Sequence, residues 1–204
     1  MAVKRVLLVR HGETDYNLQG RWQGTRDTQL NETGRKQAQA LARYLANTRL
    51  DAIYSSDLRR AWDTAQAIAA VHKMQVISQP GLREIALGIF EGLTREEILE
   101  QHPEAGAGYF GDDWSFVVPQ GESKLQHQQR MVATWERLLA SAEGETIMLV
   151  SHGGSIKRLL IELFADQAAR LGRVHNTSVT TVARDGDGWR LVEFAVRPHL
   201  PESD

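Results

Sequence analysis

Val6-Leu7-Leu8-Val9-Arg10-His11-Gly12 carries four apolar residues in a row, then a cation, an imidazole and a residue without a side chain. An unbroken apolar run of that length is the pattern of a strand buried on both faces, as at the centre of a parallel sheet. In an open α/β sheet the carboxyl end of such a strand opens into the crevice where ligands bind. The same arrangement recurs at Ile147-Met148-Leu149-Val150, followed by Ser151-His152-Gly153-Gly154. One histidine behind a strand is commonly a loop residue or a hydrogen-bonded polar group. Two, each followed by glycine, place two imidazoles at one edge of one sheet, facing one small anionic group.

Outward from these strands the patterns alternate. Residues 3–9 read as a strand, and residues 31–46 as an amphipathic helix with Ala38, Leu41, Ala42 and Leu45 on one face. Residues 51–54 form a short strand, after which Ser56 is expected to cap a helix running to about residue 71. A third strand at 75–78 is closed by Pro80-Gly81, and a short charged helix covers 94–102. Residues 103–122, rich in glycine, read as loop. A long helix over 123–142 buries Met131, Val132, Trp135, Leu138 and Leu139. A strand at 146–150 and a helix at 155–164 precede a hairpin of 178–183 and 189–196, joined by Asp185-Gly186-Asp187-Gly188. The expected fold class is α/β: a three-layer α/β/α sandwich with a mostly parallel central sheet and a C-terminal antiparallel hairpin. No linker divides residues 1–204, so one domain is expected, with an insert at about 85–122 over the site and a frayed tail from Pro198.

Composition narrows the function classes. The chain has 204 residues, 42% hydrophobic and 25% charged, as in ordinary soluble proteins. Its net charge of −2, with signs mixed throughout, supplies no basic field for nucleic acid or an anionic membrane. Any anion site is therefore local. With no cysteine, disulfides, thiolate zinc sites and cysteine nucleophiles are excluded, which fits a cytoplasmic location. The apolar run at residues 6–9 is too short for a signal-peptide core, and no stretch approaches the ~18 residues of a membrane span. No histidine spacing matches a metal motif.

Leu8-Val9-Arg10-His11-Gly12-Glu13-Thr14, with Asn17 after it, resembles the signature of the histidine phosphatase superfamily, phosphoglycerate-mutase-like branch. The likeness continues through Leu30-Asn31-Glu32-Thr33-Gly34, through Ser55-Ser56-Asp57-Leu58-Arg59-Arg60-Ala61 to Ala65, and through Leu82-Arg83-Glu84, Gly88 and Glu91-Gly92. It ends at Val150-Ser151-His152-Gly153-Gly154, and spans about residues 3–165. The resemblance implies that His11 is a nucleophile taking up the phosphoryl group as phosphohistidine. Arg10, Arg60 and His152 would clamp the phosphate, and Asn17 would add a hydrogen bond. Glu84 would act as general acid and then base. Gln23 matches a position near the phosphate pocket, and Glu91 is expected to accept structural hydrogen bonds. The resemblance implies no metal and no organic cofactor.

Elementary chemistry agrees with these roles. Phosphoryl transfer is largely positioning plus stabilisation of charge on the phosphate oxygens, which forked guanidinium donors match. Arg10 and Arg60 should lower the pKa of His11 and keep the imidazole nucleophilic. The N–H groups of a helix opened by Gly153 and Gly154 could add donors. On a helix, Arg60 and Thr64 share a face while Arg59 points about 100° away, which selects Arg60. As an acid, Glu84 must hold a proton, so its burial is expected to outweigh the arginines. His72, His102, His127 and His199 read as structural, and His175 is left undecided.

Residues 85–123 carry Arg95 alone against eight acids: Glu91, Glu96, Glu97, Glu100, Glu104, Asp112, Asp113 and Glu122. That is poor ground for the doubly phosphorylated intermediate of a mutase, and Leu82-Arg83-Glu84-Ile85 with Phe90-Glu91-Gly92 resembles the small phosphatases instead. The favoured reading is a metal-independent phosphomonoester hydrolase acting on a small phosphorylated metabolite. The alternatives are a phosphoglycerate mutase-type phosphotransferase and a non-catalytic phosphate-binding protein. Tyr109, Phe110, Trp114 and Phe116 either pack the insert or line the pocket mouth. The natural substrate and the oligomeric state, a homodimer among the options, stay open.

Overall fold

The computed structural model describes residues 2–201. Strand β1 (Arg5–Arg10) lies inside a six-stranded sheet with β2 (Ala52–Ser55), β3 (Val76–Ser78), β4 (Thr146–Ser151), β5 (Val179–Asp185) and β6 (Gly188–Val196), in the order β3-β2-β4-β1-β5-β6. β3, β2, β4 and β1 run parallel, whereas β5 is antiparallel to both β1 and β6. The register pairs Arg10 with Ser151, so His11 and His152 leave neighbouring strands at the same level. That register turns two distant sequence signals into one site.

Alternation along β1 divides the core. Val6 and Leu8 join Ile147 and Leu149 under two helices, α6 (Lys124–Ser141) and α7 (Gly153–Leu163), through Met131, Trp135, Leu138, Ile156 and Leu159. Leu7 and Val9 join Met148 and Val150 on the other face, under α2 (Glu32–Tyr44) and α3 (Arg59–His72), through Leu41, Ala42, Ala61, Ala65 and Ile68. Each buried Leu or Ile contributes roughly 1.5–3 kcal/mol of transfer free energy. Both faces of the sheet are covered, as the three-layer expectation requires. Val132 and Leu139 are only half-buried.

Three local features depart from the sequence expectation. The helix expected to start after Ser56 begins at Arg59 with Leu58 before it, and Asp27 Oδ1 accepts the Arg59 N–H at 2.7 Å. Ser56 Oγ lies 2.9 Å from His152 Nε2 and accepts the Leu58 N–H at 3.3 Å, ahead of the helix. Residues 103–122 are not all loop, since α5 (Pro103–Phe110) follows α4 (Arg95–Gln101) directly. Gly106 and Gly108 weaken its helix propensity, and packing overrides that weakness. Tyr109 is buried with Ile85, Leu87, Phe90, Ile98 and Val118 in a satellite cluster of its own. The tail expected to fray from Pro198 is docked at least through His199, which lies against Tyr44 and hydrogen-bonds Thr177 Oγ1 at 3.0 Å. The rest of that expectation, residues 202–204, lies outside the described residues. A short helix, α1 (Asp15–Leu18), completes the set. Asp185 pairs with Gly188 across a two-residue Gly186-Asp187 turn, where Gly186 takes φ +57°. Among the described residues, no helix is long and apolar enough to cross a membrane.

Candidate active site

His11 follows β1 and lines a cavity of ≈ 560 Å³, and the buried His152, which follows β4, has its ring centroid 5.2 Å away. His11 is 3% exposed. Its Nδ1 lies 2.7 Å from the Gly12 carbonyl, which can only accept, so Nδ1 carries the proton and Nε2 is left as the lone-pair nitrogen. Burial, then Arg60 and Arg10, holds its pKa well below the usual imidazole value. The ring is therefore neutral at neutral pH.

Gly12 itself is held from behind. Its N–H donates to Thr64 Oγ1 at 3.0 Å, and that hydroxyl donates to the Arg60 carbonyl at 2.7 Å. The expected shared face of Arg60 and Thr64 thus ties α3 to the nucleophile turn. A methyl group on Gly12 would lie 2.6 Å from the Gly34 carbonyl, so the start of α2 closes on the same turn.

The two arginines are fixed in different ways. Arg60 is 1% exposed and donates to the carbonyls of Arg26 at 2.7 Å and Gly24 at 2.8 Å. Arg10 donates to the Val174 carbonyl at 2.7 Å. Burial lowers each guanidinium to about 10, against the pull of Glu84, so both remain charged at neutral pH. Arg10 Nε, Arg60 Nε and His152 Nδ1 are buried without a partner among the described residues. Unpaired buried guanidinium N–H groups are rare and costly, and both arginines line this cavity. His152 is held below the usual imidazole range by burial and by the same arginines.

Asn17 and Gln23 line this cavity, and both use their amide oxygens in the protein. Asn17 Oδ1 accepts from Thr14 and from Asn176 Nδ2, whereas Gln23 Oε1 accepts from the hydroxyls of Thr14 and Thr28. Their NH₂ groups make no hydrogen bond among the described residues. Gly153 lines the cavity beside Arg10. The Gly154 N–H, expected as an anion donor, instead donates to Glu84 Oε2 at 3.0 Å.

Glu84 accepts at Oε1 from the Ile85 N–H and from Ser155 Oγ, each at 3.1 Å. Burial pushes its pKa up, but His127, the two backbone N–H donors and Arg60 together bring it below the usual carboxylate range. Burial therefore does not outweigh its neighbours, contrary to the sequence expectation. Together these donors and cations outweigh burial around the carboxylate.

Several participants have no motif to announce them. Arg130 donates to the carbonyls of Gly81 and Arg83, both at 2.9 Å, and to that of Glu84 at 3.2 Å. It also pairs with Glu122, whose Oε1 accepts the Ala86 N–H at 2.9 Å. Asn176 Nδ2 reaches the His11 carbonyl at 3.0 Å. His127, read as structural, lies 3.8 Å from Glu84 and 2.9 Å from Ser155 Oγ. Its position three residues before Arg130 on one helix face was the signal available. His175 does not line the cavity, and Glu91 accepts from Thr25 and Leu87, in keeping with a structural role. Of the four insert aromatics only Tyr109 lines the cavity; Phe110 and Phe116 pack the satellite cluster, and Trp114 is stacked under Arg158 at 4.0 Å. Among the described residues, no cluster of His, Asp and Glu is arranged to hold a metal.

Residues 6–197 match the model of the histidine phosphatase superfamily, branch 1. The chain is 37% identical to a metal-independent phosphoserine phosphatase of Arabidopsis thaliana, over 97% of this chain and 84% of that protein. It is 36% identical to a glucosyl-3-phosphoglycerate phosphatase of Mycolicibacterium vanbaalenii, over 94% of each. A mycobacterial glucosyl-3-phosphoglycerate phosphatase solved with VO3 superimposes with a TM-score of 0.83 at 34% identity, covering 94% of this chain and 99% of that one. The chain belongs to the histidine phosphatase superfamily. Within it, the chain is a phosphatase related to phosphoglycerate mutase-like proteins.

Proposed function

We propose that the chain hydrolyses small phosphomonoesters without a metal, through a phosphohistidine on His11. The observation that carries this reading is the pair of buried arginines lining the cavity with His11, whose Arg10 Nε and Arg60 Nε have no partner among the described residues, together with the lone-pair nitrogen of His11. Fixed cations of this kind stabilise charge on the equatorial phosphate oxygens with no reorganisation during reaction.

In the first step, His11 Nε2 attacks phosphorus in line, the ester P–O bond breaks and Glu84 delivers its proton to the leaving oxygen. In the second, Glu84 removes a proton from water, the water oxygen attacks phosphorus and the P–N electron pair returns to His11. Glu84 is held as a carboxylate by its neighbours, the form the second step needs. A phosphate bound between Arg10 and Arg60 cancels their field and sets negative charge beside Glu84, which raises its pKa toward the acid role.

Beyond the phosphate cradle the cavity is lined by Lys157 and Arg173, neither in an ion pair among the described residues, and by Trp22 and Tyr109. Those cations suit an ester whose organic part bears a carboxylate. Phosphoserine and glucosyl-3-phosphoglycerate, named in the relatives, both have one.

The test is turnover of p-nitrophenyl phosphate and of carboxylated phosphate esters at pH 5 to 8 in EDTA, with rapid quenching of labelled substrate. Expected are metal-free hydrolysis, an acid-labile and alkali-stable phosphoenzyme, and loss of both in His11→Ala with the fold intact. Metal-dependent turnover without an adduct overturns the mechanism, and phosphate binding without hydrolysis identifies a binding protein instead.

A further inference from the structure

Glu84 is backed by two residues on neighbouring helices. The first turn of α7 supplies the Gly154 N–H to Oε2 and the Ser155 hydroxyl to Oε1. Behind that hydroxyl, His127 of α6 places Nε2 2.9 Å from Ser155 Oγ. His127 is 1% exposed and Ser155 is fully buried, so the contact is shielded from water. A serine hydroxyl has a single hydrogen. Here it has two acceptors within reach, Glu84 Oε1 at 3.1 Å and the Arg83 carbonyl at 3.0 Å. The direction of the His127 contact decides whether that hydrogen is available to either.

If His127 Nε2 were the lone-pair nitrogen, the hydroxyl would donate to it and Glu84 would lose a donor. If Nε2 carries the proton, the hydroxyl oxygen accepts and its hydrogen is free to turn toward Glu84. We infer that His127, through the Ser155 hydroxyl, is a positioning residue that sets the proton affinity of Glu84, with the hydroxyl turned to Oε1 when the carboxyl is ionised and to the Arg83 carbonyl when it is protonated. The inference rests on the acid–base role given to Glu84 above.

The surroundings favour an uncharged ring. Burial pushes His127 down to about 4, against the opposing pull of Glu84, with Arg130 and Arg158 adding to the fall and Glu122 opposing it. A neutral His127 adds no full charge beside Glu84, which already faces Arg10 and Arg60 from the cradle and Arg158 and Tyr109 from the pocket wall. The imidazole then reaches Glu84 through the Ser155 hydroxyl as well as through its 3.8 Å approach to the carboxylate.

Three variants test this: Ser155→Ala, His127→Leu and His127→Gln, whose amide can still donate to Ser155. Ser155→Ala removes a donor to the carboxylate and His127→Leu removes the N–H that orients that donor, so both raise the Glu84 pKa. Loss of the acid form at high pH and loss of the base form at low pH both depend on that pKa, so either limb moves upward. Ser155→Ala and His127→Leu are expected to slow breakdown of the phosphoenzyme about tenfold, with KM changed less than about twofold and the pH profile raised by roughly one unit. His127→Gln is expected to recover to within about threefold of the parent. Carbon-13 titration of the Glu84 carboxyl reads the same shift whether or not the chain turns over, which separates failure here from failure of the phosphatase mechanism. An unchanged Glu84 titration in Ser155→Ala, a variant that removes a single oxygen, overturns the inference. So does equal impairment of His127→Gln and His127→Leu with an unshifted profile.

Discussion

Gly34→Ala sets two effects of opposite sign against each other. Gly34 is the third residue of α2, where Asn31 Oδ1 accepts its N–H at 2.8 Å. Alanine there would ordinarily gain up to about 1 kcal/mol of helix propensity. Its methyl group, however, would stand 2.0 Å from the Glu13 carbonyl oxygen and 2.7 Å from the Glu13 nitrogen, both backbone atoms with no rotamer to change. The same carbonyl accepts the Asn31 N–H at 3.0 Å, so relief of the clash pulls the cap of α2 from the nucleophile turn. Overpacking costs typically 1–3 kcal/mol, and the broken hydrogen bond about 1 kcal/mol more. The clash wins, for a net loss of roughly 1–3 kcal/mol. At about 2–4 °C per kcal/mol for a chain of this size, the melting temperature should fall by roughly 2–12 °C. Glu13 adjoins Gly12, whose carbonyl orients His11, and a misplacement of about 1 Å can cost ~100-fold in rate. Thermal melts followed by circular dichroism, with turnover measured well below the transition, read both effects. A melting temperature equal to or above the parent's with full turnover would refute the reasoning.

Arg130→Met keeps the side-chain stem and removes the donors that hold the Gly81, Arg83 and Glu84 carbonyls; kcat should fall at least about tenfold with a stability loss of roughly 2–4 kcal/mol, and turnover within twofold of the parent would count against the brace. Acid should destabilise the fold between about pH 6.5 and pH 4. The unfolded chain protonates His127 near 6.5 while the folded chain resists until about 4, so stability is complete above that window and is lost as pH falls through it, by about 3 kcal/mol from this residue. His11 and His152 shift in the same direction, and His127→Gln should flatten part of the slope in pH-dependent melts. Tyr109→Leu should raise KM for aromatic esters several-fold more than for small ones, because Tyr109 lines the cavity; Trp114→Ala should show no such selectivity, and the opposite ranking would reverse the assignment.

The parts of the site that were legible are those in which chemistry sits next to a strong backbone signal. His11 and His152 each follow a buried strand, and Arg60 is singled out by helical phase with Thr64. Glu84 is visible as a carboxylate near the site, but not as an ionised one, because its state depends on His127, Ile85, Gly154 and Arg60 acting together. The cap expected at Ser56 is not formed, because that hydroxyl meets the Leu58 N–H and a distant histidine ahead of the helix's first turn.

Local pattern determined by itself the α/β alternation, the two His-Gly strand ends and the absence of thiol chemistry, since apolar period and side-chain type need no partner to be read. Tertiary structure alone decided which nitrogen of His11 is free, that Arg130 holds the Glu84 loop, that residues 103–110 form a helix, and that the cavity's outer cations are Lys157 and Arg173. Each depends on a contact between residues far apart in the chain. Hydrogen-bond direction, burial and charge compensation belong to such pairs and not to either residue, so they take definite values only when the sheet register sets Arg10 beside Ser151.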